Sequence, residues 1–136
     1  VEQAIRKSLG AFLRLSANDG SKEAFEFTDI NRSLAVGVSA GGRGWRRPED
    51  QSGVAIVISA VSGGARRYFE RGGLGILVGD GQLPAARTEQ ILEGYYRLQL
   101  LPSLALTLDL QHVRNPAYSR DRGPVDIAGV RTHAEF

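Results

Sequence analysis

The segment SLALTLDLQ, Ser103 to Gln111, alternates almost without fault. Leu104, Leu106, Leu108 and Leu110 share one parity; Ser103, Ala105, Thr107, Asp109 and Gln111 share the other. A β-strand sends successive side chains to opposite faces. The segment therefore predicts a strand with one face of leucine and one face that is small and polar.

The same period extends in both directions. Downstream, Ala128, Val130, Thr132, Ala134 and Phe136 oppose Gly129, Arg131, His133 and Glu135. Upstream, Leu92, Gly94, Tyr96, Leu98 and Leu100 oppose Glu89, Glu93, Tyr95, Arg97 and Gln99. Leu34, Val36, Val38 and Ala40 oppose the residues of Ser33, Ala35, Gly37, Ser39 and Gly41. Leu9, Ala11, Leu13 and Leu15 oppose Ser8, Gly10, Phe12, Arg14 and Ser16. Gly53 to Ser62 is less regular, because Val54 to Ile58 is apolar on both faces. The fold expected is all-β, an antiparallel up-and-down meander of about six strands, each near the roughly 9–11 residues that a tilted membrane-crossing strand needs.

The connections alternate in length. Leu100 to Ser103 is a tight turn centred on Pro102, and Gly42 to Ser52 is a moderate one. Asn18 to Asn31, Gly63 to Arg87 and Arg114 to Val125 are longer. Short turns at one end and long loops at the other are the habit of outer-membrane barrels. Within the longest loop, Gly64 to Arg71 (GARRYFER) predicts two helical turns stopped by Gly72-Gly73.

Composition narrows the function classes. With 17 basic and 15 acidic side chains the net charge is +2, too balanced to indicate a nucleic-acid partner. Only Lys7 and Lys22 are lysines; the other basic residues are arginine, suited to planar, multi-donor contacts. The absence of Cys excludes disulfides and thiol catalysis, and two histidines without HExxH spacing predict no metal site. His133 and Glu135 share a strand face, with no positioned nucleophile or paired-carboxylate motif beside them, so no catalytic residues and no cofactor are expected. The chain starts at Val1 without a charged and then apolar leader, which predicts a processed or truncated start. No apolar run reaches the ~18 residues of a membrane helix, but barrel strands alternate and escape that measure.

Two surroundings fit the alternation: a soluble sandwich with leucines inside and water on the polar face, or a barrel with leucines in lipid and water in its lumen. The uniform leucine face, the wet chemistry of the polar face and the terminal Phe136 favour the barrel.

Four stretches carry a resemblance: RPEDQSG (Arg47 to Gly53), YFERGGLGILVGDGQL (Tyr68 to Leu83), TEQILEGYY (Thr88 to Tyr96) and LTLDLQHVRNPAYSRDRGPVDIAGVRTHAEF (Leu106 to Phe136). They resemble the C-terminal third of the carbohydrate-selective porin family, of the glucose type. The resemblance implies a sixteen-stranded barrel in the outer membrane of a Gram-negative bacterium, passing monosaccharides and similar small solutes. Residues 1–136 would then be its C-terminal segment with the N-terminal strands absent, since about eight strands are the least that close a transmembrane barrel. A soluble β-domain binding carbohydrate or protein, and an inactive porin remnant, are the alternatives.

On that resemblance the pore-lining candidates, taken by parity, are Arg14, Glu89, Glu93, Arg97, Gln99, Asp109, Gln111, Arg131, His133 and Glu135, with Tyr95 placed to stack on a sugar ring. The opposing expectation is that Glu93, Arg97, Asp109 and Arg131 form an ion-pair network along the wall. Arg66, Arg67 and Arg71 are candidates for a constriction loop, or for an exposed basic loop meeting lipopolysaccharide phosphates. His112 shares the leucine parity, which predicts an interfacial position. The partners implied are small sugars, outer-membrane lipid and lipopolysaccharide, the barrel-assembly machinery through the strand ending at Phe136, and a second copy of the chain in a homo-oligomer.

Overall fold

The alternating segments become neighbours in one sheet. The computed structural model describes residues 1–22, 29–75, 78 and 83–136. The strands are β1 (Glu2–Arg6), β2 (Leu9–Ala17), β3 (Arg32–Gly41), β4 (Gln51–Ala60), β5 (Glu89–Leu101), β6 (Leu104–Arg114) and β7 (Val125–Ala134), with one helix, α1 (Gly63–Glu70). They form a seven-stranded antiparallel sheet in sequence order, each strand bonded to the one before it. Six of them match the alternating segments. The seventh, β1, was not anticipated: a register shift between Ala4 and Arg6 breaks its period. The sheet is open, and β1 and β7 are not paired with each other among the described residues. The middle of the Tyr68 to Leu83 stretch, residues 76–77 and 79–82, lies outside the described residues.

The register carries parity across the whole sheet. Leu15, Leu34 and Ile58 are aligned, as are Leu13, Val36, Ile56 and Leu92, and then Gly94, Leu110 and Ala128. The burial of the two faces inverts that of a soluble sheet. Small and polar residues are covered: Ala105 is 1% exposed, Ser59 3% and Thr107 6%. On the opposite face Leu110 is 65% exposed, Val130 71% and Leu15 73%. No second layer of described residues covers those leucines and valines.

The three long connections meet at one end of the sheet. Asn31 donates to Asn18 Oδ1 at 2.9 Å and accepts from the Ser62 amide at 2.7 Å, tying the first long connection to the second. Ser62 Oγ caps α1 by accepting from the Ala65 amide at 3.1 Å. Phe69, Val78, Leu83 and Tyr118 form a small buried cluster that joins the second connection to the third. Burial pushes the Tyr118 hydroxyl up to about 12, so it stays protonated.

At the other end, the turn over residues 42–50 closes on a carboxylate. The Asp50 side chain is 1% exposed and accepts from Arg47 Nε, from Tyr96 Oη at 2.6 Å and from the Gln99 amide at 2.9 Å. Trp45 Nε1 donates to Tyr96 Oη at 2.9 Å, so an indole and a phenol on the apolar side stand where strand meets turn. Such amphipathic rings suit a membrane–water boundary. The Arg47 guanidinium, aided by the Tyr96 and Gln99 donors, holds the Asp50 carboxyl at about 2. The folded value lies below the unfolded one, so its contribution is complete above about pH 4 and is lost as pH falls toward 2. In urea titrations of the folded protein in detergent, the midpoint is expected to drop over that window. Asp50→Asn is expected to lower it at neutral pH and to abolish that part of the acid dependence.

Candidate functional site

The polar face is arranged in rows fixed by register. Tyr95 on β5 stands between Gly53 on β4 and Asp109 on β6, and Asp109 is aligned with Gly129 on β7. In the next row toward the long connections, Ala55, Glu93, Gln111 and Ile127 are aligned. In the next row toward the short turns, Gln51, Arg97, Thr107 and Arg131 are aligned. Glu93, Tyr95, Asp109, Gln111 and Arg131 therefore line one depression of about 430 Å³, together with Thr107 and Gly129.

The polar groups divide into those held by the protein and those left open. Gln111 Nε2 donates to Glu93 Oε2 at 3.3 Å and to Asp109 Oδ1 at 3.2 Å, so an amide joins the two carboxylates. The ion-pair network expected of Glu93, Arg97, Asp109 and Arg131 is not formed among the described residues: Arg97 and Arg131 have no acidic partner within 4 Å. The reason lies in the register, which puts both arginines in the row of Gln51 and Thr107 and keeps the carboxylates in the next two rows. Tyr95 Oη likewise has no hydrogen-bond partner among the described residues. Tyr95 and Arg131 line the depression, and Arg97 stands in the Arg131 row, all three with bonding capacity unspent.

Other candidates are engaged in holding structure. Gln99 Nε2 donates to the carbonyl of Leu101 at 2.7 Å and closes the β5–β6 turn. Glu89 accepts from the Ala117 amide at 2.8 Å and anchors the third long connection. Arg14 pairs with Glu2 at 2.7 Å, a partner on the strand that the alternation did not reveal. His133 Nε2 lies 3.1 Å from Glu135 Oε1. Asp109 is four positions along β6 from Ala105, the partner of His133, or about 13 Å away at strand rise, so no acid–base set assembles there. His112 sits on the apolar face, with Nδ1 2.6 Å from Asp126 Oδ1, close to the long connections. Arg66, Arg67 and Arg71 are exposed, and Arg66 is turned back along α1 onto Glu70 at 2.7 Å.

Rows of donors and acceptors on one face, backed by exposed leucines on the other, are the layout of a channel wall. The family model described as carbohydrate-selective porin, OprB family, matches residues 1–136, the whole sequence. The chain belongs to this family. No curated protein and no solved structure gives a match. Members of a carbohydrate-selective porin family are outer-membrane β-barrel channels, and the open antiparallel sheet of this porin is the wall element such a barrel is made from. A porin family is a family of channels, not of enzymes.

Proposed function

We propose that the polar face of this porin lines a water-filled lumen through which monosaccharides and similar small solutes diffuse, while the leucine-bearing face meets outer-membrane lipid. The inverted burial carries this reading: Thr107 and Ala105 are covered while Leu108 and Leu110, on the same strand, are exposed. In water that arrangement exposes apolar surface for nothing; in hydrocarbon it buries it. Seven strands are fewer than the about eight that close the smallest barrels, and hydrocarbon does not tolerate open sheet edges. The seven strands are thus part of a larger wall, and the family resemblance, rather than the strand count, suggests sixteen strands in all with these at the C-terminal end and β7 meeting the assembly machinery.

A sugar offers hydroxyls that donate and accept in equal measure. In the depression Arg131 and Tyr95 supply donors, and Glu93 and Asp109 supply acceptors, with Arg97 in the same register row as Arg131. The exposed arginines of α1 and its end, with Arg66 already paired to Glu70, favour contact with lipopolysaccharide phosphates over a constriction. Proteoliposomes containing the intact porin are expected to swell in isosmotic monosaccharide and not in a long oligosaccharide. A protein that stays monomeric and folded in buffer without detergent would overturn the proposal.

A further inference from the structure

Gly53 stands in the interior of β4, where glycine weakens a strand and packs nothing. Its space is not empty. A Cβ built on Gly53 would lie 2.4 Å from Tyr95 Cε1, 2.8 Å from Cζ and 3.0 Å from Oη. Tyr95 is the direct cross-strand partner of Gly53. Its ring is therefore folded sideways over the neighbouring strand, across the position a side chain would fill. A ring lying along the wall rather than standing up from it turns its second face to the lumen.

We infer that Gly53 is a positioning residue for solute passage: by having no side chain it lays the Tyr95 ring flat as a stacking platform for a pyranose. This rests on the reading of the polar face as a sugar path. The surroundings of the ring suit that ligand class. A pyranose has an apolar C–H face that packs on an aromatic plane and a rim of hydroxyls that need donors and acceptors. Around the ring, Glu93, Asp109, Gln111 and Arg131 supply both. The Tyr95 hydroxyl has no protein partner among the described residues and lies at the edge of the platform. The sheet contains the same device once more, Phe12 over Gly37. There the Arg14 guanidinium lies 5.2 Å above the ring centroid, so that face is already occupied. In the sheet, the Tyr95 ring combines a glycine beneath it with acids and an amide about its rim.

The test is glucose-dependent block of ion current in planar bilayers, for the intact porin and for Gly53→Ala, Tyr95→Ala and the double variant. Gly53→Ala is expected to lift the ring, lowering open-channel conductance and weakening glucose block about two- to tenfold, the range of an aromatic stacking contact. Tyr95→Ala is expected to weaken block to the same extent without lowering conductance. The double variant is expected to match Tyr95→Ala, since the added methyl then meets no ring. Block by glucose that is unchanged in Gly53→Ala, or additive losses in the double variant, overturn the positioning role while leaving the sugar path standing. Should Gly53→Ala fail to assemble, an unchanged block in Tyr95→Ala overturns it. Wild-type channels indifferent to glucose overturn the path and the platform together.

Discussion

Reversal of charge at Arg97 or at Arg131 is expected to move the cation-to-anion permeability ratio of the porin about thirtyfold toward cations at low salt. Neither guanidinium is paired among the described residues, so neither charge is cancelled locally. They lie in one row on either side of Thr107, two strand spacings or about 10 Å apart. An ion passing about 8 Å from a unit charge through water feels about 0.5 kcal/mol. Arg→Glu changes the wall by two charges, hence about 1 kcal/mol for each ion with opposite signs for cation and anion, or about thirtyfold in their permeability ratio. The effect should shrink as salt rises, because the screening length falls from about 30 Å at 0.01 M to about 3 Å at 1 M. Reversal potentials in a salt gradient measure it directly. If both variants keep the wild-type reversal potential at low salt, these arginines do not border the ion path.

The sheet was legible in the sequence because its register is continuous over long strands. Once Ser103 to Gln111 is placed, every strand from β2 to β7 falls into phase, and the observed pairing keeps leucine beside leucine and polar beside polar. Strand β1 escaped because five residues with a register shift present no period, and because Lys7-Ser8 carries neither glycine nor proline to announce a turn. The doubly apolar stretch of β4 also has a structural meaning. Val57 belongs to a row with Ala35, Ile91, Val113 and Val125 that crosses the polar face near the long connections. Parity gives a side chain its face, and that face is not polar along its full height.

The site was legible only as a list of facing residues. Parity says that Glu93, Gln99, Gln111 and Arg97 share a side; it does not say which of them is already engaged. Gln99 reaches the Leu101 carbonyl within its own turn, and Glu89 reaches an amide 28 residues away. Those engagements depend on the path of the connections, which have no period to read. The role of Gly53 was hidden for a related reason: the meaning of a missing side chain depends on which residue lies across the ladder, and alternation fixes the face of that residue while turn geometry fixes its identity.

Leu110→Arg is expected to destabilise the folded porin in a bilayer by about 2–4 kcal/mol, the cost of a guanidinium on the lipid face near the midplane. Leu110 lies one residue from the middle of β6 and is 65% exposed. The same exposure leads to opposite outcomes in the two solvents. In water, arginine for an exposed leucine changes stability by no more than about 0.5 kcal/mol, because nothing is buried or desolvated. In hydrocarbon the guanidinium must drag water inward or leave the strand displaced. The adjacent Asp109, on the polar side, supplies the internal control. Asp109→Lys is expected to lower the urea midpoint in lipid vesicles far less while altering ion selectivity, because in a wet lumen the new charge stays hydrated and only the Gln111 bond is lost. Two neighbours in one strand, each given a positive charge, thus separate a membrane wall from a soluble sheet. A Leu110→Arg porin with the wild-type unfolding midpoint would place that leucine in water.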